Sequence, residues 1–172
     1  PIPSKYPQKK LEDLCEIISG GTPSRKDRTL WNGKVKWLTI QEFQDFDEVF
    51  DTKETITEKG LINSSAKLLP INSVLVTIFA TIGRVGITKS EMTTNQAIVG
   101  LVPNYDIEAK FLMYMVFLNK WYLIAQGSGT AQNNINTTIL KNIRIPVPSK
   151  TIQQQIIREI EPLSDGVLLA YL

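Results

Sequence analysis

The 172-residue chain contains no histidine and a single cysteine, Cys15. Without histidine, the common zinc sites, the histidine-based triads and His-Asn-His nuclease chemistry are excluded. A lone cysteine cannot close an intramolecular disulfide. No apolar run approaches the roughly 20 residues that a membrane-spanning helix requires, and no signal-peptide pattern is present, so a cytoplasmic location with no membrane partner is expected.

The motifs of several enzyme classes are also missing. An adenine methyltransferase needs an Asn/Asp-Pro-Pro-aromatic motif and a glycine-rich cofactor loop, and the sequence has neither. Asn32-Gly33-Lys34 lacks the first glycine and the hydroxyl residue of a phosphate-binding loop. Gly83-x2-Gly86 is too short for a dinucleotide fingerprint and reads as a turn. Glu108-Ala109-Lys110 matches the tail of a metal-dependent nuclease pattern, but its nearest upstream acid, Asp106, is two residues away. The stretch opens a helix, where acidic residues favour the helix dipole. No catalytic residue, metal ligand or resident cofactor is therefore assigned to this chain.

What is there suits a globular domain. Apolar residues make up 42% and charged residues 21%, enough for a core without covalent staples. The net charge of +2 is unevenly spread. Residues 1–40 carry eight Lys/Arg against four acids, 41–61 two against seven, 62–150 eight against three, and 151–172 one against three. Basic patches split by an acidic stretch suit a protein that grips phosphates in one place and docks partners elsewhere.

Residues 1–8 read as extended. Leu11, Leu14, Ile17 and Ile18 at helical spacing predict a short helix over Lys10–Ser19, ended by Gly20-Gly21. Strands are predicted over Val35–Ile40, Ser73–Ala80, Gln96–Val102 and Ile143–Val147, and short strands or turns within Glu42–Glu58. Asp106–Ala125 reads as the main helix of the body, buried on several sides, and Thr137–Asn142 as one or two helical turns. After Pro148, Thr151 and Gln154 have capping-box spacing, and Ile152, Ile156, Ile157 and Ile160 form one helical stripe. Pro162 should kink or end that helix. The order of elements points to an α+β fold rather than a doubly wound sheet.

Two polar loops carry the candidate chemistry. In Thr22–Arg28, Arg25, Lys26 and Arg28 can pair with phosphates, and arginine can also fork onto guanine. In Gly127–Asn134, Gln132, Asn133 and Asn134 carry amides that pair bidentately with adenine. Arg84, flanked by Gly83 and Gly86, is either a base or phosphate contact or a salt-bridge partner for the acidic stretch. Trp31 and Trp37 could stack on a flipped base, a core role being favoured for Trp37 within its strand.

An ordered set of segments resembles the recognition domains of type I restriction-modification specificity (S) subunits. It opens with Lys10-Leu11-Glu12-Asp13-Leu14 and Ile18-Ser19-Gly20-Gly21-Thr22-Pro23-Ser24, then Val35-Lys36-Trp37-Leu38-Thr39. It continues through Ile56–Leu61, Ser64–Pro70, Thr81–Ile87 and Thr94–Ile98. Gly127–Gln132 and Ile143–Pro148 complete it. The resemblance covers nearly the whole chain.

It implies an α+β fold with a β-helix-like or barrel-like body and a C-terminal helical segment. The boundaries expected are 1–147 for the DNA-binding target-recognition domain and 148–172 for the start of the helical spacer. It further implies that the domain reads one half of a bipartite duplex DNA target. Methyltransferase (M) and restriction (R) subunits would be partners, as would a second recognition domain in cis or in a homodimer. S-adenosylmethionine, ATP and Mg are expected on those partner subunits, with DNA methylation and cleavage.

The candidate DNA-binding residues are Thr22, Ser24, Arg25, Lys26, Arg28, Lys34, Arg84, Ser128, Thr130, Gln132 and Asn133. The candidate partner-binding residues are Ile152, Gln153, Ile156 and Ile160. The family helix usually begins Pro-Pro-Leu-x-Glu-Gln, whereas Pro148-Ser149-Lys150-Thr151-Ile152-Gln153 keeps only the first Pro and the Gln. The alternative readings are the recognition domain of a fused adenine methyltransferase, and a protein-interaction module that binds no nucleic acid.

Overall fold

The computed structural model describes residues 5–127 and 135–164, with side chains described as far as 161. Ten strands run in the order β1 (Gln8–Lys10), β2 (Cys15–Ser19), β3 (Trp31–Leu38), β4 (Asp47–Val49), β5 (Glu54–Ile56), β6 (Val74–Thr77), β7 (Val85–Thr88), β8 (Thr93–Thr94), β9 (Ile98–Pro103) and β10 (Arg144–Pro146). Five α-helices accompany them: α1 (Glu58–Ile62), α2 (Ala109–Leu118), α3 (Lys120–Gly127), α4 (Thr137–Lys141) and α5 (Lys150–Ser164). The fold is α+β. Its strands form open sheets rather than a closed barrel: a central sheet ordered β2-β9-β6-β7-β4, a second ordered β5-β3-β8, and the pair β1-β10.

The inner strands β6 and β7 of the central sheet are buried on both faces, which explains their continuous apolar runs. In β6, Val74 and Val76 join a core with α2, while Leu75 points to a second core with Leu38, Phe43, Leu69 and Met92. All four residues of β6 are buried. Helix α2 lies against β6 and β7, and its residues Phe111–Phe117 are buried throughout.

The predicted helix over Lys10–Ser19 is not formed. A 3-10 turn at Leu11–Asp13 leads into β2, which pairs antiparallel with β9 from Cys15↔Pro103 to Ser19↔Val99. The reason lies in the two cores. Ile17 packs against the α2 core and its neighbour Ile18 against the other, which only a strand's alternation allows. Gly20-Gly21 accordingly stops no helix. A Cβ on Gly20 would lie 2.0 Å from the Asn95 carbonyl oxygen, and one on Gly21 would lie 2.4 Å from the Ala66 nitrogen. Bare backbone is needed there to pass through a narrow gap.

The main helix is interrupted. Asn119 ends α2 by donating its side-chain amide to the Met115 carbonyl at 2.8 Å, and α3 starts at the next residue. Burial thins around the break, where Leu118, Trp121 and Tyr122 are exposed, and resumes at Leu123, which is fully buried in the same core. At the C-terminal end, α5 continues two residues beyond Pro162 to Ser164, so the proline does not end it at that point. The helix begins at Lys150, which places Thr151 inside it rather than at the cap.

Helix α5 packs on the α2 core through Ile156, Ile157 and Ile160, and the fully buried Gln153 ties its first turns to the chain just before α2. Its Oε1 accepts from the Glu108 backbone N–H at 2.8 Å, and its Nε2 donates to the Asp106 and Pro148 carbonyls at 2.9 Å.

Candidate nucleic-acid interface

The first polar loop leaves β2 through the Gly20-Gly21 passage and returns as β3. Its shape is set locally. Asp27 caps a 3-10 turn at Arg28–Leu30, its Oδ1 accepting from the Thr29 N–H at 2.9 Å and the Thr29 hydroxyl at 2.6 Å. Asn32 then takes a left-handed conformation at φ 60°, and the register of β3 against β5 shifts between Trp31 and Val35. Asparagine tolerates that region better than most residues.

Arg25 is the most constrained cation of this loop. Its Nη1 and Nη2 donate to Oε1 and Oε2 of Glu54 on β5 at 2.5 and 2.8 Å. Its guanidinium lies over the Trp31 ring, 3.7 Å from the centroid, and 4.9 Å from that of Trp37. The two indoles meet edge to face at 4.9 Å. Trp31 is held by its Nε1–H, which donates to the Ser24 carbonyl at 3.1 Å, and buried Trp37 by its own, which donates to Gly21 at 2.8 Å. Trp37 thus takes the core role. The hydrogen bond from Arg25 holds the Glu54 carboxyl below its ordinary range despite some burial, and raises the Arg25 pKa in turn.

Beside this stack lies a cleft of about 530 Å³, bordered by Thr22, Arg25, Gln41, Lys53, Asn95 and Gln96 among others. Thr22 and Gln96 are hydrogen-bonded through their side chains. Lys26, Arg28 and Lys34 are exposed, and their side chains make no hydrogen bond or ion pair among the described residues. Ser24 is exposed in the same loop.

Arg84 stands elsewhere and faces inward. Its Nη1 donates to the carbonyls of Ile40 at 2.7 Å and Phe43 at 2.9 Å, stapling the segment before β4 to the turn before β7. The expected salt bridge to the acidic stretch is not formed, because Arg84 meets backbone carbonyls rather than a carboxylate. Asp45 of that stretch accepts instead from the Val85 N–H and from Lys120, both at 2.9 Å. Ser128, Thr130, Gln132 and Asn133 lie outside the described residues. On α5, Ile152, Ile156 and Ile160 are partly buried, and Ile156 and Ile160 pack against the α2 core of the same chain. Gln153 turns wholly inward and offers no group to a partner.

Sequence reasoning passed over Glu54, Gln41, Lys53 and Gln96. Glu54 reads as one more acid in an acidic stretch, and Gln96 as the first residue of a strand. The one usable signal was the pair of amides Asn95-Gln96 standing just before an apolar run. Among the described residues no cluster of histidine, cysteine or carboxylate side chains could hold a metal ion. None of the described helices is long and apolar enough to cross a membrane.

Solved structures with this fold include the HsdS subunit of Thermoanaerobacter tengcongensis, with a TM-score of 0.73 at 20% identity over 98% of this chain and 40% of that one. A structure of a type I restriction-modification system, concerned with complex assembly and conformational transition, aligns with a TM-score of 0.77 at 19% identity, covering 99% of this chain and 41% of that one. The fold is thus shared with these two chains.

The sequence places the chain more narrowly. Residues 3–169 match the type I restriction modification DNA specificity domain, and the chain belongs to that family. It is 31% identical over 160 residues to the MjaIX specificity subunit of Methanocaldococcus jannaschii, covering 90% of this chain and 37% of that protein. The HindI specificity subunit of Haemophilus influenzae is 29% identical over 154 residues, covering 88% of this chain and 34% of that protein. The chain therefore spans little more than a third of the length of these relatives.

Proposed function

We propose that this domain recognises a short run of base pairs in duplex DNA, one half of a bipartite target, for a type I restriction-modification complex. The observation that carries the reading is the segment from Thr22 into the first half of β3, as far as Lys34. It presents three exposed cations without partners, Lys26, Arg28 and Lys34, next to a cleft bordered by hydroxyl and amide side chains. Free cations suit phosphates, and amides and hydroxyls suit base edges. Thr22 and Ser24 belong to this surface. Ser128, Thr130, Gln132 and Asn133 of the second polar loop would add base contacts by their chemistry.

In this reading the domain has no reaction of its own. Methyl transfer and cleavage belong to M and R subunits, which would carry S-adenosylmethionine, ATP and Mg. Residues 148–172 begin a helical spacer. The outward edge of α5, with Ile152 on it, would meet an M subunit or a second recognition domain.

The test is selection from a random duplex library, followed by salt-titrated binding to the enriched sequences. An enriched motif of a few contiguous base pairs is expected. Salt-dependent binding without enrichment would mean that specificity needs the second domain or an M subunit. No binding at low salt would overturn the proposal in favour of a protein-interaction module.

A further inference from the structure

The loop of Thr22–Lys34 holds two kinds of cation. Lys26 and Arg28 are solvated and without partners, while Arg25, the residue before Lys26, is locked on several sides. Glu54 takes one hydrogen from each terminal nitrogen, Trp31 covers one face of the guanidinium, and the side chain is still 52% exposed. We propose that Arg25 reads a base edge, guanine being the best match, and that Glu54 is the positioning residue that aims it. The assignment rests on the DNA-recognition reading above and names a role within it.

Three physical points support it. First, the pair with Glu54 is close to neutral overall, so Arg25 contributes little to phosphate attraction. A phosphate anchor would gain nothing from a carboxylate partner and would lose much of its field. Second, a guanidinium has five N–H donors, and the fork on Glu54 uses two. The Nε–H and the remaining terminal hydrogens stay available, and a side edge of the group presents two parallel donors. Those match the O6 and N7 acceptors that guanine shows in the major groove. Third, the plane of the group is set before DNA arrives, because it stacks on an indole that is itself tied to the Ser24 carbonyl. Ordering a long side chain costs affinity at the moment of binding, and here folding has already ordered it.

The surroundings agree. Arg25 borders the cleft that Thr22, Gln41, Asn95 and Gln96 also line, beside Glu42, Lys53 and Glu54. Amide and hydroxyl groups discriminate bases without adding charge.

The experiment compares the wild-type chain with Arg25→Lys, Arg25→Ala, Glu54→Gln and Lys26→Ala. Affinities are measured on the selected duplex, on every single base-pair substitution of it and on random duplex, across a salt series. Melting temperatures check that each variant folds. For Arg25→Lys, the penalty at one G·C position should fall from roughly 10- to 100-fold to near none. The other positions and the salt slope should hardly change. Glu54→Gln should weaken discrimination at the same position. It should also tighten random-duplex binding and steepen the salt slope by about 0.9, because it releases a full positive charge. Lys26→Ala should weaken all duplexes alike.

The assignment is overturned if Arg25→Lys and Arg25→Ala leave every position's penalty unchanged. It is equally overturned if Arg25→Ala weakens all duplexes alike while lowering the slope, which would make Arg25 a phosphate anchor. Either of those results leaves the DNA-recognition reading standing. Failure of the wild-type chain to bind any duplex removes both.

Discussion

Single residues carry opposite burdens in this molecule. Gly21 matters for what it lacks: a methyl group there would strike the backbone of Ala66 at 2.4 Å and the Ser65 hydroxyl at 2.3 Å. Gly21→Ala should cost roughly 1–3 kcal/mol, as overpacking does, read as a lower denaturant midpoint at unchanged slope. Cys15 is buried, and its thiol, bonded to the Leu11 carbonyl at 3.2 Å, is pushed up to about 12 by burial from an ordinary 9.0. The raised value means that stability is full below pH 9.0 and declines as pH climbs towards about 12. The slope should reach roughly 1.4 kcal/mol per pH unit and vanish in Cys15→Ala. Alkylation of the native thiol at neutral pH should follow global unfolding, and a fast reaction in native buffer would contradict that burial. Glu54 runs the other way. Its lowered value means that the stability held by the Arg25 pair is present at neutral pH and lost as pH falls below the ordinary 4.5.

At the scale of elements, α5 depends on one amide. Gln153 joins Glu108 and Asp106, just before α2, to Pro148, just before α5. Two further contacts assist from the surface: Lys150 with Glu108 at 3.1 Å, and Lys110 with Glu161. Exposed ion pairs contribute little, whereas removing Gln153 strands a buried N–H and two carbonyls. Gln153→Ala should therefore destabilise by roughly 1–3 kcal/mol. Hydrogen exchange should localise the loss to α5 and the start of α2. If exchange in α5 were unaltered, the helix would be held by Ile156 and Ile160 instead. The same element shows the limit of stripe reading. Its isoleucines were legible as an apolar face, but a buried glutamine looks like any polar residue until the backbone groups that it satisfies are in view.

For the whole molecule, the uneven charge is the informative property. The net charge is only +2, yet Lys26, Arg28 and Lys34 stand without partners within nine residues of chain, the first two in the loop and the third in β3. If these three engage phosphates, Lys26→Ala should lower the slope of log affinity against log salt by about 0.9 and spare base preference. An unchanged slope would place that lysine away from the DNA. The acidic stretch is mostly used up at home: Asp45 on Lys120, Glu54 on Arg25, and Glu48 on Lys89 and Lys110. Charge counted along the sequence therefore overstates the negative field that a ligand would meet.

The sequence by itself determined the α+β class, the strands β6 and β9, the helical turns of α4, the position of the first polar loop and, through ordered short segments, the family. Those features rest on local chemistry: β-branched runs, turn residues and spacing. Tertiary structure alone decided that Cys15–Ser19 is a strand, because Ile17 and Ile18 must reach different cores and a short apolar pattern fits either period. It alone decided that Arg84 staples backbone, that Gln153 faces inward, and that Arg25 meets Glu54 across 29 positions of chain. Each of these is a pairing between distant residues. What a charged or amide side chain does depends on which partner folding brings within about 3 Å, and composition does not record that.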